Sequence, residues 1–362
     1  MARVIALWLN YNSSGMWDIA RESLHSVLNL ERGDFSLTIL VIDGGSTDNS
    51  PDLIKRYINN TESKNEVVIY RLSENRGYAG NMNSGYEYAV NNLGADYVVF
   101  LNNDFVVRSD SMRRLFEWIK KEEYVGIQGL ELRPDGVIGN AGMFHDEFGH
   151  VLGACSGYKI EDCDLTKPYF VTYPMGSYMI YSVDFINELP DKLPFITDTF
   201  MYFDDNYMGL MAWQKSRKVA FVPVIGGIHH GSLTIRSLYG VRSGGVHSYL
   251  GARAKMALWE NMRCRYYNIF KLYKSKLYLM AKLHLINESM RKGIFDGIKL
   301  AKIVREKAGI IDIEKAVHVE FSRSYYLIRS IVPGAGSIVT RARYLNPHIK
   351  YLSKYIRYPD KL

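Results

Sequence analysis

The stretch that decides the fold is residues 97–107, Tyr97-Val98-Val99-Phe100-Leu101-Asn102-Asn103-Asp104-Phe105-Val106-Val107. Its first half is a short apolar run, rich in valine and aromatic residues, and its length predicts a buried β-strand. Three polar residues, Asn102, Asn103 and Asp104, follow where this strand is expected to end. In open α/β sheets, ligands bind just outside the carboxyl ends of the strands. Asp104 is therefore predicted to place its carboxylate at the ligand-binding edge of the sheet.

Three similar units precede this stretch. Residues 3–9, 35–42 and 67–72 are strand-like, and each is followed by a polar loop and then by helical spacing. This alternation predicts a mostly parallel sheet with helices on both faces. The successive strand ends carry polar side chains, namely Asn10 and Tyr11, Asp43, Arg76, and finally Asp104. Because parallel strands end at the same edge, we expect these side chains to face one another.

Length and composition describe a globular chain with room for a large core. The chain has 362 residues and 47% hydrophobic content, enough for one large domain with an appendage or for two domains. No N-terminal apolar leader and no membrane-spanning apolar run is visible, which predicts a cytoplasmic protein. The three cysteines lack metal-ligand spacing and are expected to be free thiols in a reducing compartment, with a Cys155–Cys163 disulfide as the less favoured alternative.

Charge is distributed unevenly along the chain. Residues 251–362 hold 23 Lys and Arg against 8 Asp and Glu, a net charge of +15, whereas residues 1–250 carry a net charge of −8. This asymmetry predicts a mildly acidic body followed by a helical, basic C-terminal region. An anionic membrane surface is the expected partner of the basic region, with the protein peripheral at the inner face, and no nucleic acid partner is expected.

One helix of the basic region allows two interpretations. Its predicted apolar face consists of Tyr266, Ile269, Phe270, Tyr273, Leu277, Met280 and Leu283. Lysines 271, 274 and 282 lie on another face. The helix either lies on a membrane surface or packs its apolar face on the body with the other side in solvent. The second interpretation is slightly favoured for this helix.

Asp104 and Asp43 have chemistry suited to their positions. A Mg²⁺ site can consist of one or two carboxylates completed by substrate phosphates, so Asp104 alone can suffice; the alternative is a helix cap or a turn. Asp43 precedes Gly44-Gly45, and its carboxylate can accept hydrogen bonds from a base or a ribose. Its alternative is an Asx-turn.

Arg76 lies in a loop with Gly77 and Gly80, after the third predicted strand. A guanidinium group is suited to phosphate, and glycines let the backbone approach a ligand. The alternative is a surface arginine in a turn.

Two further groups complete the set. Asp204 and Asp205 open a predicted helix, and adjacent carboxylates raise each other's proton affinity, as a general base requires. Their alternative role is to complement the helix dipole. His229 is a candidate metal ligand or phosphate donor, or else a core or turn residue. The preceding Gly226-Gly227 pair predicts a flexible segment that closes over a ligand.

Read together and in order, these motifs resemble the inverting family-two glycosyltransferases of GT-A fold, close to the rhamnosyltransferase-like branch. The resemblance covers about residues 3–270. It rests on the segments Leu9-Asn10-Tyr11-Asn12, Val41-Ile42-Asp43-Gly44-Gly45-Ser46-Thr47-Asp48-Asn49-Ser50, Asn75-Arg76-Gly77-Tyr78-Ala79-Gly80-Asn81, Leu101-Asn102-Asn103-Asp104 and Tyr202-Phe203-Asp204-Asp205. The resemblance implies a GT-A catalytic domain at 1–250, with a nucleotide-binding half at about 1–107 and an acceptor half at about 108–250, before the helical region 251–362.

The resemblance also implies a role for each site residue. Tyr11, Asp43 and Arg76 would contact the nucleotide, with Asn10 and Gly80 beside them, and Asn102 and Asn103 would contact ribose or phosphate. Asp104 would bind Mg²⁺ or Mn²⁺ with His229 near it, Asp205 would be the general base beside Asp204, and residues 175–177 would line the acceptor side. Two departures stand out: Asp204 replaces the usual Glu, and Tyr207 replaces an Asp common in this branch, which leaves an acceptor contact there in doubt.

The resulting hypothesis is a glycosyltransferase, hexosyl- or rhamnosyltransferase-like, that uses a UDP- or dTDP-sugar in preference to a GDP-sugar. Its acceptor would be a glycan or a lipid-linked or protein glycan. The alternative is a catalytically silent nucleotide-binding module of the same fold that docks to a membrane or a partner. A nucleotidyltransferase is disfavoured, because the loop Asn10-Tyr11-Asn12-Ser13 lacks the basic residue that such enzymes carry after the first strand.

Overall fold

The computed structural model describes residues 1–231, 243–331 and 355–359. The strands are β1 (Ala2–Asn10), β2 (Phe35–Asp43), β3 (Glu66–Arg71), β4 (Tyr97–Asn102), β5 (Phe105–Val107), β6 (Gly126–Leu132), β7 (Ile138–Asn140), β8 (Met143–Asp146), β9 (Val151–Gly153), β10 (Tyr169–Phe170), β11 (Tyr178–Ser182), β12 (Val219–His229), β13 (Met262–Arg263), β14 (Ile311–Asp312), β15 (His318–Val319) and β16 (Ile356–Arg357). The α-helices are α1 (Trp17–Leu28), α2 (Ser50–Asn59), α3 (Gly77–Leu93), α4 (Ser111–Lys121), α5 (Val183–Ile186), α6 (Asp204–Gln214), α7 (Ser243–Trp259), α8 (Tyr267–Lys282), α9 (Glu288–Ala308) and α10 (Arg323–Ile331).

A single central sheet organises the fold. Its strand order is β10-β12-β6-β11-β4-β1-β2-β3, with β5 paired to β12 and β7 to β6. Strands β3, β2, β1 and β4 are parallel, and β11 is inserted antiparallel between β4 and β6. Strand β12 is parallel to β6, so the carboxyl ends of six strands lie on the same edge, where β11 begins. The α/β fold of GT-A type is thereby confirmed.

The central strands are apolar in both alternating positions because both faces of the sheet are covered. Val4, Ala6 and Trp8 of β1 face a cluster that includes residues of α1 and α4. Ile5 and Leu7 face a second cluster that includes residues of α3 and α6 and the C-terminal helices. The sheet therefore lies between two apolar layers, and the polar residues of β1 and β4 lie at the strand ends.

The register brings the polar strand ends level with one another. Asn10 lies opposite Asp43, and Asp43 lies opposite Arg71 on the next strand. On the other side of β1, Leu9 lies opposite Asn102. The prediction that the first four strands present their polar residues at one edge is confirmed.

Two local predictions were wrong. The segment around Gly226-Gly227 is not a flexible spacer, because β12 continues through it and Gly227 pairs with Val107 of β5. Pro223 is accommodated where the β12–β6 register shifts, between Phe221 and Ile225. The helix after β3 begins at Gly77, so Gly80 lies in its first turn and not in a loop before it. Of the glycine- and histidine-rich segment 226–232, the last residue, Ser232, lies outside the described residues.

The basic C-terminal region is fixed to the body. Gly293 and Gly297 of α9 lie against the backbone of α7, where a Cβ atom would come within 2.3 Å of the Tyr249 carbonyl oxygen and 2.5 Å of that of Arg253. β15 pairs with β8 of the body. One apolar cluster holds residues from both sides of position 250, so the proposed domain division stays a prediction. Among the described residues, no helix has both the length and the apolar character needed to cross a bilayer.

Buried ion pairs reinforce this attachment. Nε2 of His318 lies 3.0 Å from a carboxylate oxygen of Glu147, and Arg329 lies 3.5 Å from Asp146. Burial favours a neutral His318, but the hydrogen bond to Glu147 outweighs it and raises the pKa of this imidazole. All three cysteines lie among the described residues and are buried free thiols, as expected.

Helix α8 packs one face on the body. Phe270 and Ala281 are fully buried, which confirms the packing interpretation for this side of the helix. Leu283 was predicted on the same face and is exposed instead. Leu283 directly follows the end of the helix at Lys282 and comes four residues after the exposed Leu279, so it lies on the outer side of the helix.

Candidate active site at the carboxyl edge of the sheet

The ends of β1 and β2 form a tightly bonded polar group. Oδ1 of Asp43 accepts hydrogen bonds from Asn10 Nδ2 at 2.9 Å and from Ser46 Oγ at 2.5 Å. Asn10 is fully buried, and its amide also bonds the hydroxyls of Ser46 and Ser50. The buried Asn10 side chain therefore fixes the position of the Asp43 carboxylate by hydrogen bonding. Its direct contact with a nucleotide stays a prediction.

Arg71 is a further candidate site residue, which the sequence analysis did not single out. Its Nε lies 3.3 Å from Oδ2 of Asp43, and its guanidinium bonds the Ser46 carbonyl oxygen. Its side chain is 59% exposed, so it pairs with Asp43 and still faces solvent at the edge. Its position at the end of the third predicted strand, beside Asp43, was the signal in the sequence.

Arg76 and Tyr11 lie on the loops that follow β3 and β1. Arg76 directly precedes α3, is half-exposed, and its Nε lies 3.2 Å from Glu74. A Cβ atom on Gly80 would lie 2.5 Å from Arg76 Cβ, so Gly80 leaves room for the arginine side chain. Tyr11 is partly exposed in a bend after β1. Both side chains are therefore accessible to a ligand at this edge.

The ends of β4, β6 and β12 bring together Asp104, His229 and Glu131. Nε2 of His229 lies 3.3 Å from Asp104 Oδ1, and its Nδ1 lies 3.5 Å from Glu131 Oε2. Asp104 and Glu131 are 3% and 2% exposed. The sequence analysis missed Glu131, because a single acid inside a predicted strand carries no pattern. Asn102 and Asn103 precede Asp104 at the same edge, and the Asn102 N–H donates to the carbonyl oxygen of Ser177 at 3.1 Å.

The two carboxylates set the charge of His229. Burial alone would lower the pKa of this imidazole, but the two neighbouring carboxylates of Asp104 and Glu131 outweigh burial and raise the pKa to about 10. His229 is therefore protonated at neutral pH and bridges two carboxylates. Metal coordination would require its deprotonation, which a divalent cation beside Asp104 favours by repelling the proton.

Asp104 and His229 fit part of a divalent cation site. They supply one oxygen and one nitrogen donor in mutual contact. The described part of the chain contains no group of three or more His, Cys, Asp or Glu side chains that could hold a metal. A cation at Asp104 would therefore complete its shell with substrate phosphates and water, as Mg²⁺ commonly does.

The adjacent acids Asp204 and Asp205 point to different partners. Asp204 accepts hydrogen bonds from the Tyr202 N–H at 3.0 Å and the Thr199 hydroxyl at 3.3 Å, within its own segment. Burial, together with the charge of Asp205, raises the pKa of Asp204 to about 7. Asp205 instead accepts from the Gly176 N–H at 3.2 Å, so its carboxylate faces the loop that leads into β11.

Asp205 belongs to the same edge as the other site residues. Burial, reinforced by the charge of Glu131, raises the pKa of Asp205 even though the Gly176 N–H stabilises the carboxylate. Ser177 donates a hydrogen bond to Glu131, and Tyr78, two residues after Arg76, donates to the Gly176 carbonyl oxygen at 2.9 Å. The segment 175–177 thus joins Asp205 to both halves of the edge.

Tyr207 is 1% exposed, so its side chain is not accessible to an acceptor.

A separate surface depression of about 340 Å³ is lined by residues that include Phe35, Arg113 and Lys120. Phe35 is the first residue of β2, so this depression lies at the amino end of the strand, away from the polar edge. It contains none of the predicted site residues.

Comparison with known proteins assigns the family. The model of the family described as glycosyl transferase family 2 matches residues 9–204, more than half of the chain. This chain belongs to glycosyl transferase family 2. The matched span of this family-two chain runs from the end of β1 to Asp204 and includes Asp43, Arg76 and Asp104. The rhamnosyltransferase-like branch stays a prediction.

The chain matches only part of the length of each of two curated relatives. The chain is 24% identical over 195 residues to "Glycosyltransferase GlyA" of Streptococcus pneumoniae serotype 4, covering 52% of this chain and 25% of that protein. It is 32% identical over 116 residues to "Poly-beta-1,6-N-acetyl-D-glucosamine synthase" of Staphylococcus aureus, covering 32% of this chain and 25% of that protein. The chain thus spans about a quarter of these relatives.

The fold has solved counterparts. The structure of GalNAc-T7 with UDP, GalNAc and Mn²⁺ aligns with a TM-score of 0.55 at 14% identity, covering 86% of this chain and 58% of that one. At this identity the likeness concerns the fold alone.

Proposed function

We propose that this protein is a metal-assisted, inverting glycosyltransferase that moves a sugar from a nucleotide-diphosphate sugar to an acceptor hydroxyl. The proposal rests on one observation: the Asp104–His229 pair and the carboxylate of Asp205 lie at the same edge of the sheet. The Asp104–His229 pair offers donors to a cation, and Asp205 offers a carboxylate whose pKa is raised. Glu131 links the two, because it contacts His229 and its charge acts on Asp205.

The donor is proposed to bind across the ends of β1, β2 and β4. Asp43, supported by Asn10 and paired with Arg71, would accept hydrogen bonds from the base or ribose, with Tyr11 beside it. Arg76 would hold phosphate, and Asn102 and Asn103 would contact ribose or phosphate. GalNAc-T7, which shares the fold, is solved with UDP and Mn²⁺. The donor class proposed for this chain is a UDP- or dTDP-sugar, bound together with a divalent cation.

The proposed chemical step uses this chain's own residues in defined roles. Asp205 accepts the proton of the acceptor hydroxyl, whose oxygen attacks the anomeric carbon from the side opposite the leaving diphosphate. The bond from that carbon to the diphosphate oxygen breaks as the new bond forms, so the diphosphate leaves with the electron pair. Asp104, with His229 beside it, would hold a divalent cation, which would neutralise the negative charge on the leaving diphosphate. A hexosyl or rhamnosyl donor and a glycan or lipid-linked acceptor are the proposed substrate classes.

We further propose that the basic region 251–362 brings the protein to an anionic membrane surface. Its net charge of +15 supports this, because basic segments are attracted to anionic lipid headgroups. A membrane setting also suits a lipid-linked acceptor.

Substitution of Asp104 tests the proposal. In a panel of nucleotides and nucleotide-sugars with and without Mn²⁺, a UDP or dTDP compound is expected to raise the melting temperature in the presence of Mn²⁺. Asp104→Ala is expected to weaken Mn²⁺-dependent nucleotide binding, measured by calorimetry, by about tenfold or more. The matched control is Asp96→Ala. Asp96 directly precedes β4 and therefore lies at the opposite end of this strand from Asp104. Unchanged affinity in Asp104→Ala would contradict the proposal, and nucleotide binding without donor hydrolysis or transfer would favour a catalytically silent module.

A further inference from the structure

Helices α8 and α10 expose aliphatic side chains on their outer sides. Leu272 and Leu279 of α8 are 49% and 56% exposed, and Leu283, directly after the helix, is 58% exposed. Ile328 and Ile331 of α10 are exposed to a similar degree. Soluble proteins expose single apolar residues routinely, but a group of them in one place marks an interaction surface.

The exposed leucines of α8 form one stripe. Leu272 and Leu279 are separated by seven residues, or about two helical turns, and Leu283 follows four residues later. Phe270 and Ala281, on the packed side, are fully buried. The leucine stripe is therefore separate from the face by which the helix packs on the body. Packing among the described residues does not explain why leucine occupies these exposed positions.

The end of α10 lies beside this stripe. Nζ of Lys276 donates a hydrogen bond to the carbonyl oxygen of Ile331 at 3.3 Å. Lys276 is one turn from both Leu272 and Leu279, so the bond brings the exposed end of α10 next to the leucines. We call the resulting surface the docking face; it consists of Leu272, Leu279, Leu283, Leu327, Ile328 and Ile331.

The charge around the docking face selects one class of partner. Residues 261–287, around α8, contain six Lys and Arg and no Asp or Glu. Two of these six, Arg265 and Lys274, pair with Glu320 and Glu260, and Lys271, Lys276 and Lys282 lie along the helix itself. A second copy of the same face would meet this positive charge with its own. The docking face is complemented by a partner with an apolar interior and a negatively charged surface. An anionic lipid bilayer has both properties.

We propose that the docking face binds the surface of an anionic bilayer, with its leucine and isoleucine side chains in the boundary between headgroups and acyl chains. Lys271 and Lys282 flank the leucine stripe along α8 and bind lipid phosphates. This proposal assigns a surface to the membrane attraction proposed above and rests on that part of the proposed function. It does not depend on the chemistry of the sheet edge.

Vesicle flotation tests the docking face on the full-length protein. The wild type is expected to float with vesicles of equal parts phosphatidylcholine and phosphatidylglycerol and not with phosphatidylcholine alone. The triple variant Leu272→Ser, Leu279→Ser, Leu283→Ser is expected to lose flotation, because each half-exposed leucine contributes roughly tenfold in affinity.

Two further variants separate apolar from electrostatic contributions. A matched control replaces three exposed aliphatic residues of the body, in Ile69→Ser, Val151→Ser, Ile160→Ser, and is expected to float like the wild type. The double variant Lys271→Gln, Lys282→Gln is expected to bind roughly 25-fold more weakly to the anionic vesicles, at about fivefold for each lysine.

Results of three kinds would overturn the proposal. One is flotation of the leucine variant equal to that of the wild type, or no flotation of the wild type. Another is a melting temperature lowered in the leucine variant by clearly more than the weaker helix propensity of serine accounts for, about 1 kcal/mol in total, which would mean that another part of the chain covers the face. The third is a wild-type dimer that becomes monomeric in the leucine variant without lipid. Release of nucleoside diphosphate from the donor in solution is measured in parallel, since it is expected to be unchanged in the leucine variant and reports on the transfer chemistry separately.

Discussion

Replacement of Asp205 by Asn should abolish most of the turnover and leave donor binding intact. The substitution keeps the size of the side chain but removes its ability to accept a proton. A positioned general base contributes about 10²–10⁴-fold to rate, equivalent to roughly 3–5 kcal/mol of the activation free energy. The expected result is therefore a fall in kcat of at least about 100-fold.

The effect on stability should be much smaller, for two opposing reasons. The carboxylate of Asp205 accepts hydrogen bonds from the N–H groups of Gly176 at 3.2 Å and Asn206 at 2.9 Å. Asn has a single acceptor oxygen, so one of these bonds is lost, at a cost of about 1–3 kcal/mol. Against this, burial and Glu131 disfavour the charged carboxylate, and the neutral amide relieves that cost. The free energy of unfolding should change by about 2 kcal/mol or less.

The assay separates these contributions. Release of nucleoside diphosphate gives kcat, calorimetry with Mn²⁺ gives the donor Kd, and urea unfolding gives stability. Asp204→Asn is the matched control, since it makes the same chemical change one residue away on a side chain that bonds its own segment. The reasoning is refuted if Asp205→Asn turns over donor within about threefold of the wild type, or if the Asp204 variant loses as much kcat.

The remaining predictions concern stability. Stability should depend on pH through Asp204, whose pKa is raised in the folded state: its contribution is complete below about pH 4 and is lost as the pH rises through about 7. Urea unfolding should show the wild type losing up to about 4 kcal/mol relative to Asp204→Asn across that range; parallel pH profiles for the two proteins would disprove this. Gly77→Ala should cost about 3 kcal/mol, because Gly77 has φ +73° and a Cβ atom would lie 2.4 Å from the Phe200 carbonyl oxygen. Gly136→Ala, at φ +80° with no atom within 4 Å, should cost only about 1 kcal/mol; equal losses of melting temperature in the two variants would contradict the steric argument.

The location of many candidate site residues was predictable, because parallel strands end at the same edge of a sheet. The order of strands and helices in residues 1–107 could be inferred from apolar periodicity, and the polar residues after each strand then had to meet at one edge. Asp43 and Asp104 were found in this way. Glu131 was not found, because it becomes a neighbour of His229 only when β6 and β12 pair, and no short-range pattern marks that pairing.

Long-range pairing also decided the character of the glycine-rich segment before His229. Two adjacent glycines favour flexibility in an isolated chain. In the folded protein, β5 and β6 flank this segment and supply its backbone hydrogen-bond partners, so it remains an extended strand. The strand then carries His229 to the contact with Asp104.

The sequence alone determined the class of fold, the edge at which the polar residues gather and the basic character of the C-terminal region, because these follow from periodicity, strand direction and charge. Tertiary structure decided which of two adjacent aspartates faces the shared edge. Asp204 and Asp205 are chemically identical and neighbours in one helical turn, and their tertiary partners distinguish them. Asp204 accepts hydrogen bonds within its own segment, whereas Asp205 accepts one from the Gly176 backbone. Tertiary structure also decided that α8 has leucines on its outer side, since a helix of mixed lysine and leucine can bury only the face that the body covers.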